Sequence, residues 1–336
     1  MLAKPVTVIP PGASYEPKWD GFRALAFRDS DTVVLQSRSG KELGRYFPEL
    51  LDALRDELAD RCVLDGEVVV PREIDGRVRL DWESLSQRIH PAESRVRMLA
   101  EQTPAHFIGF DALATGDRSL LAEPFRVRRE ALIHAVEAKQ WCHVTRTTTD
   151  PELGAQWLQT FEGAGLDGLI AKPLTLTYQP DKRVMFKIKH QRTADCVVAG
   201  YRLHKSGPDA VGSLLLGLYR ADGELQMVGG AASFSVKDRL KLLADLEPLR
   251  EGDEVREGDP SRWNSAADKR WIPVRPEKVC EVAYDQMEGN TDNGRRFRHA
   301  VKFMRWRPDR EPSSCTFDQL DVPLNYDLYD VLAGEN

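Results

Sequence analysis

The sequence has few of the features that mark secreted, zinc-binding or membrane proteins. Its 336 residues include only five cysteines, which lie far apart and form no Cys-x-x-Cys pair. This pattern argues against a disulfide framework and a structural zinc site, and it fits a reducing cytoplasm. No apolar run is long enough to cross a bilayer, and the first eleven residues lack the order of a signal peptide.

The common phosphate-binding loops are also missing. The chain contains neither a Walker A sequence nor a Gly-x-Gly-x-x-Gly that opens a helix. Its seven histidines form no cluster with cysteine, so a metal held by this chain would be bound through oxygen and would be magnesium-like. A nucleotide site would therefore need a different set of phosphate-binding groups.

Charge is unevenly distributed along the chain. The formal charge of −6 by itself argues against a nucleic-acid partner. However, residues 295–310 hold seven lysines and arginines against one acid, and residues 182–192 form a second basic stretch. The acids are concentrated elsewhere, for example in 52–60 and 247–259. Basic surfaces are thus expected on an acidic protein.

Length and pattern predict two domains of an α+β protein. Residues 1–192 combine short strands with helices of clear apolar periodicity, such as Pro48–Arg61 and Pro151–Gly163. Residues 193–312 read as five short strands with one helix among them, a pattern typical of a small closed barrel of the oligonucleotide-binding kind, although other five-stranded barrels would give it too. The tail, 313–336, shows no clear periodicity.

The stretch Glu16–Arg23, with the sequence Glu-Pro-Lys-Trp-Asp-Gly-Phe-Arg, is the first candidate for chemistry. A strand is predicted to begin at Ala24, so Lys18 would lie on a loop that enters a sheet. A lysine is a nucleophile once its ammonium loses a proton, and neighbouring cations favour that loss. Taken alone, the stretch indicates by default an exposed lysine beside an Asp-Gly turn.

Nucleotide transfer from a triphosphate requires a nucleophile, cations for phosphate charge, carboxylates for a divalent metal and a surface for the base. The first predicted domain contains every one of these types. Besides Lys18, the candidates are the cations Arg23, Arg38, Lys172, Lys187 and Lys189, the carboxylates Glu67 and Asp167 beside glycines, and the aromatic Phe110. Each also has a simpler interpretation. Phe110 would belong to the core, Glu67 would be an acid in a turn, Arg38 would be a solvated residue, and Lys187 and Lys189 would lie on a solvated edge strand. Their co-occurrence with Lys18 favours a site.

The order of these groups resembles the collinear motifs of the covalent nucleotidyltransferases, which are ATP-dependent DNA ligases, RNA ligases and mRNA capping enzymes. The matching segments are Lys18-x-Asp-Gly-x-Arg23, Ser37-Arg38, Asp65-Gly-Glu67, Phe110-Asp111, Asp167-Gly-x-x-x-Lys172, Lys187-x-Lys189 and the closing Arg305-Trp-Arg-Pro-Asp-Arg310. The wording of the first and last segments is most similar to bacterial ligase C and to the ligase module of ligase D.

The resemblance implies a nucleotidyltransferase (adenylation) domain followed by an OB-fold barrel, and a DNA ligase activity of class EC 6.5.1.1. Lys18 would attack the α-phosphate of ATP and carry AMP, which then passes to a DNA 5′-phosphate at a nick. The resemblance further implies catalytic roles for Asp20 and Lys189 and recognition of adenine by Glu16 and Phe110. It implies that sugar and phosphates are bound by Arg23, Arg38, Lys172 and Lys187, that Glu67 binds the ribose or a metal, and that Asp167 binds a metal. The residues implied to close over ATP are Arg305, Arg307 and Asp309.

The implied cofactors are ATP and Mg²⁺ or Mn²⁺. The implied partner is nicked duplex DNA, and a repair polymerase is a further candidate partner. The resemblance also implies a monomer that does not bind membranes and that acts in the bacterial cytoplasm near the nucleoid. An NAD-dependent ligase is disfavoured, since no zinc or nicotinamide-binding extension is visible. An RNA ligase or a capping-type enzyme is the nearest alternative, and a non-catalytic nucleic-acid-binding barrel protein is an alternative of another class.

One position departs from the family pattern. Most relatives begin the fourth segment with glutamate, whereas this chain has Asp167. The side chain is shorter by one methylene, so coordination of a metal through water becomes an alternative to direct coordination.

Overall fold

The chain forms two compact units. The computed structural model describes residues 1–74, 76–137, 139–190, 192–205, 207–252, 255–257, 270–289, 294–320 and 324–333. The first unit comprises Met1–Lys189 and Pro323–Asn336, and the second comprises His190–Val322. The division therefore falls three residues before the expected one, and the expected separate tail is shared between the two units.

Strands dominate both units. In chain order they are β1 (Leu2–Pro5), β2 (Ala13–Pro17), β3 (Phe22–Asp29), β4 (Thr32–Ser37), β5 (Arg61–Val69), β6 (Pro71–Ile74), β7 (Arg77–Leu80), β8 (His106–Thr115), β9 (Arg118–Ser119), β10 (Cys142–Val144), β11 (Leu169–Pro173), β12 (Arg183–Ile188), β13 (Arg192–His204), β14 (Gly207–Tyr219), β15 (Leu225–Ala231), β16 (Arg256–Glu257), β17 (Arg270–Pro273), β18 (Val279–Tyr284), β19 (Met287–Glu288), β20 (Arg296–Phe297) and β21 (Lys302–Trp306).

The described residues form seven α-helices. They are α1 (Pro48–Glu57), α2 (Trp82–Gln87), α3 (Glu93–Gln102), α4 (Phe125–Ala135), α5 (Pro151–Thr160), α6 (Val236–Leu246) and α7 (Leu328–Leu332). Asp150 caps α5 through the amide of Glu152, and Ser235 caps α6 through the amide of Asp238, as the sequence predicts for α6. The prediction for the first helix was too long, because Leu58 is already extended and bridges to Val136.

Two larger sheets and the two-stranded sheet of β6 and β7 build the first unit. One has the order β1-β12-β11-β2, and the other has the order β10-β8-β5-β3-β4, with β9 beside β8. Successive side chains of β5 and β8 point to opposite faces. Leu64 and Val68 therefore pack against α1 and α4, whereas Val69 and Ile108 pack towards the first sheet and α5. The central strands β5 and β8 are therefore packed on both faces, and this packing holds their polar residues in place.

The second unit is a barrel whose main sheet contains seven strands among the described residues. The long strand β13 pairs with β14, β17 and β18, and β18 pairs in turn with β21. A parallel bridge between Ala231 and Val301 joins the end of β15 to the start of β21. The α+β class is confirmed. The sheet has two strands more than expected, since the short β16 and β17 extend it beyond the ring.

The C-terminal segment folds onto the first unit. Leu328 and Val331 of α7 are buried in the same cluster as Trp157 and Phe161. Asp327 caps α7 through the amide of Tyr329 and accepts a second hydrogen bond, 2.9 Å long, from the amide of Val78. Periodicity did not predict this helix, since five residues are too few to show a repeat.

Candidate active site

Lys18 lies between β2 and β3, where β11 joins the first sheet. Its amide donates to the carbonyl of Gly168 at 2.9 Å, and the amide of Asp167 donates back to the carbonyl of Lys18 at 2.9 Å. Gly168 has a φ of +124°, and a Cβ there would lie 2.2 Å from the carbonyl oxygen of Ile188. Glycine at this position therefore allows three strands to meet beside the lysine.

Two lysines share one carboxylate at this junction. The Nζ atoms of Lys18 and Lys189 lie 2.5 Å and 2.9 Å from Oδ2 of Asp167. Burial tends to raise the pKa of Asp167, but the two ammonium groups outweigh it, and the pKa falls below its usual range. Asp167 is therefore ionised at neutral pH and holds both lysine side chains in place.

Glu67 faces the same lysine from β5, where it is paired with Arg23 of β3. Burial raises the pKa of Glu67 to about 8; Lys18 and Arg23 offset this only in part, and Asp65 and Asp20 raise it further. At neutral pH the carboxyl group therefore carries a proton for much of the time. A further positive charge brought into the site would favour its ionised form.

This shifted pKa gives a prediction for stability. The folded protein holds the Glu67 proton up to about pH 8, whereas the unfolded chain releases it near pH 4.5. Between these values the native state binds more protons, so the free energy of unfolding should fall as pH rises, by at most about 1.4 kcal/mol per pH unit. Glu67→Gln removes this titration. We expect its midpoint of thermal unfolding, measured without nucleotide and in EDTA, to exceed that of the wild type increasingly from pH 5 to 8.

The matched control is Glu101→Gln at an exposed position of α3. Its unfolding midpoint should follow the wild type at every pH. Parallel pH profiles for wild type and Glu67→Gln would contradict a proton held by Glu67 in the folded state.

Arg23 is held by Asp65, a residue to which no role was assigned from the sequence. Its Nε and Nη2 atoms donate to the two carboxylate oxygens of Asp65 at 3.0 Å and 2.6 Å. Tyr178 donates to Asp65 at 2.8 Å, and Arg23 also donates to the carbonyl oxygen of Met1. The guanidinium carbon lies 5.6 Å from the ring centroid of Phe110. The available signal was an aspartate that directly follows the apolar residues Cys62–Leu64, since a buried charge requires a partner.

A second buried pair lies in the other sheet of this unit, between the neighbouring strands β2 and β11. Lys172 Nζ is 2.7 Å from Oε1 of Glu16 and donates to the carbonyl oxygen of Phe110 at 2.9 Å. Both side chains of the pair are less than 5% exposed. Lys172 was predicted to be a phosphate-binding cation, but its ammonium lies beside the ring of Phe110 and the carboxylate of Glu16.

One cavity of about 540 Å³ brings most of the predicted residues together. This volume is in the range of small-molecule and cofactor sites. Eight predicted residues line it, namely Glu16, Lys18, Arg23, Arg38, Glu67, Phe110, Lys172 and Lys187. Asp167 and Lys189 join this group through Lys18, and Asp20 acts on Glu67 through its charge. Arg38 is exposed on the turn that follows β4.

The closing basic segment belongs to the second unit and is bonded to acids of that unit. Arg305 donates to Glu281 at 2.6 Å. Arg307 contacts both carboxylate oxygens of Asp195 at 3.0 Å and donates to Asp309 at 2.9 Å. The hydrogen bond from Arg307 is the largest cause that lowers the pKa of Asp309 to about 2. Each cation of this segment is thus held in a defined direction.

Comparison with known proteins agrees with this architecture. The family model described as "ATP dependent DNA ligase domain" matches residues 1–189, and the model described as "ATP dependent DNA ligase C terminal region" matches 207–310. The chain is 80% identical to DNA ligase C1 of Mycolicibacterium smegmatis over 335 residues, covering 99% of this chain and 96% of that protein. It is 54% identical to DNA ligase C of Mycobacterium tuberculosis, with the same coverage of both chains.

A solved structure from a study of Lig E DNA ligases shares the fold, with a TM-score of 0.55, 16% identity, and coverage of 91% of this chain and 100% of that one. The adenylation-type domain, the barrel and the cavity lined with a lysine define a nucleotidyltransferase with an OB-fold domain. The chain belongs to the ATP-dependent DNA ligase family, and within it to the bacterial ligase C type. Among the described residues, no helix is long and apolar enough to cross a membrane.

Proposed function

We propose that the protein seals nicks in duplex DNA through an AMP adduct on Lys18. The Nζ atom forms a bond to the α-phosphorus of ATP as the bond to pyrophosphate breaks. AMP then passes to the 5′-phosphate of the nick, and the 3′-hydroxyl displaces it to form the phosphodiester. The observation that carries this proposal is the position of Lys18 on the wall of the cavity, among two carboxylates and further cations.

The ion pairs indicate how the first step is prepared. Asp167 fixes Lys18 and Lys189 within 3 Å of one oxygen, so the nucleophile and a phosphate-neutralising cation are pre-oriented together. Lys187 and Arg23 add positive charge to the cavity wall. These groups stabilise the negative charge that develops on the phosphates. For the same step we assign Arg305, Arg307 and Asp309 to closure over ATP, and Asp20 to catalysis.

A divalent metal would complete this site. No group of three or more candidate ligand side chains occurs among the described residues. Magnesium, however, is commonly bound by one or two carboxylates together with substrate phosphates. Glu67 and Asp167 fit that pattern, because both face Lys18 and Glu67 is held partly protonated until a cation arrives. When bound, the metal would neutralise phosphate charge.

The test is the intact mass of the protein after incubation with nucleotide. We expect a gain of one AMP from ATP, and its loss on addition of pyrophosphate or nicked duplex DNA. An adduct from GTP and not from ATP would indicate a capping-type enzyme. Sealing of nicked RNA and not of nicked DNA would indicate an RNA ligase, and no adduct at all would leave a non-catalytic nucleic-acid-binding protein.

The cellular role, the location, the oligomeric state and the protein partner are inferred from the same proposal. We infer a DNA repair role for a monomer that acts near the nucleoid, since the chain is also 34% identical over 310 residues to proteins named multifunctional non-homologous end joining DNA repair protein LigD. Those proteins are longer, and this chain spans 37% of their length. A repair polymerase is the candidate partner. DNA binding through the basic segments should weaken steeply with salt.

A further inference from the structure

Lys172 makes contacts that a phosphate-binding lysine would not need. It ends the run Asp167-Gly-x-x-x-Lys172, so one strand reaches from the nucleophile to a second part of the cavity. Its ammonium bonds to Glu16 and to the carbonyl of Phe110. The same Nζ atom lies 4.9 Å and 4.7 Å from the ring centroids of Phe110 and Phe125. These four contacts hold a charge that is almost entirely buried.

Glu16 is left with one unused acceptor. Its Oε1 atom bonds to Lys172, whereas its Oε2 atom is buried and has no hydrogen-bond partner. Both residues line the cavity. Burial raises the pKa of Glu16 above its usual range, and Lys172 and then Arg129 offset this only in part. A buried carboxylate oxygen without a donor is costly, so a ligand that brings an N–H group to this position would gain affinity.

We propose that Lys172 positions the base-binding end of the cavity and thereby sets the selectivity for adenine over 6-oxopurines. This inference rests on the proposed use of ATP. The 6-amino group of adenine is a donor that suits Oε2 of Glu16, whereas the 6-oxo group of hypoxanthine or guanine would place an acceptor against it. The ammonium of Lys172 also bonds to the carbonyl of Phe110. It therefore fixes both the Glu16 carboxylate, which would meet the edge of the base, and the Phe110 ring, which would meet the face of the base.

A role of Lys172 in nucleotide selectivity and a role only in supporting the fold predict different results. A site built around a hydrogen bond rejects the analogue that lacks it strongly, because its own polar group is then left unpaired. If Lys172 orients Glu16, its loss changes the ratio of rates between two nucleotides. If Lys172 only supports the fold, its loss lowers both rates by the same factor.

The experiment compares Lys172→Met with the wild type in adduct formation on Lys18. Methionine keeps the length of the side chain and removes the ammonium. ATP and ITP are the probes, since their bases differ only in the 6-substituent and in the hydrogen that N1 carries in the 6-oxo form. For the wild type we expect ATP to exceed ITP by about 100-fold or more in rate at low concentration. For the variant we expect a ratio below about 10, with a raised KM for ATP and a maximum rate that changes less.

Two further variants make the outcome decisive. Lys41→Met removes an exposed lysine from the first unit and should keep the wild-type ratio. Glu16→Gln serves if Lys172→Met does not fold, because the isosteric amide can rotate and donate to a 6-oxo group. It should raise the rate with ITP relative to ATP at least 10-fold. The proposal is overturned if both folded variants keep the wild-type ratio, or if Lys172→Met slows both nucleotides equally. Absence of an adduct from ATP in the wild type would instead overturn the proposed function.

Discussion

Replacing Lys18 with alanine is expected to abolish the protein–AMP adduct and to lower the sealing of nicked DNA with ATP by more than about 1000-fold. The Nζ atom is the only group of this residue that can form the bond to phosphorus. The backbone hydrogen bonds to Gly168 and Asp167 do not involve the side chain, so the fold of the site should persist. Intact mass measures the adduct, and a gel assay measures the sealed strand.

A substrate that bypasses the first step makes this test specific. Nicked DNA that already carries AMP on its 5′-phosphate needs no nucleophile from the protein, so Lys18→Ala should seal it far better than ordinary nicked DNA. Lys41→Ala, at an exposed position of the same unit, should form the adduct as the wild type does. An adduct and normal sealing in Lys18→Ala would show that another residue is the nucleophile.

Replacing Asp167 with asparagine or alanine should lower sealing by about 100-fold or more at ordinary magnesium concentrations. Its carboxylate is the shared counter-ion of Lys18 and Lys189, and it is one of two proposed metal ligands. Without it the two ammonium groups lose the contact that orients them. The rate of adduct formation, measured over a range of magnesium concentrations, should need more metal to reach its maximum.

The conservative change at Asp167 separates charge from geometry. Asp167→Glu restores the carboxylate with the side-chain length of most relatives, so it should recover most of the activity if charge and metal binding are what matter. Asp117→Asn, at an exposed aspartate paired with Arg61, is the control and should leave sealing unchanged. Sealing by Asp167→Ala at the wild-type level would exclude Asp167 as a metal ligand.

Much of the local structure followed from the sequence. The helices α1, α5 and α6 were predicted, because apolar periodicity and start signals act over a few residues. Helix α3, the hairpin of β6 and β7 and the strand β2 were not predicted. The three strands have only four or five residues each. Helix α3 is as long as α1, but it has no side-chain cap and buries only Val96 and Leu99, so its sequence carries a weak signal.

The chemistry proposed for the site was predicted from the sequence alone. The order of Lys18, Glu67, Asp167 and the closing arginines already indicates a nucleophile, carboxylates and phosphate-binding cations, since only certain side chains can perform each task. What only the tertiary structure decided is the pairing among them. Whether Lys172 meets a phosphate or holds Glu16 beside Phe110 depends on the register of β2, β8 and β11. Strand register is fixed by which faces are buried in the whole fold, and no local pattern contains that information.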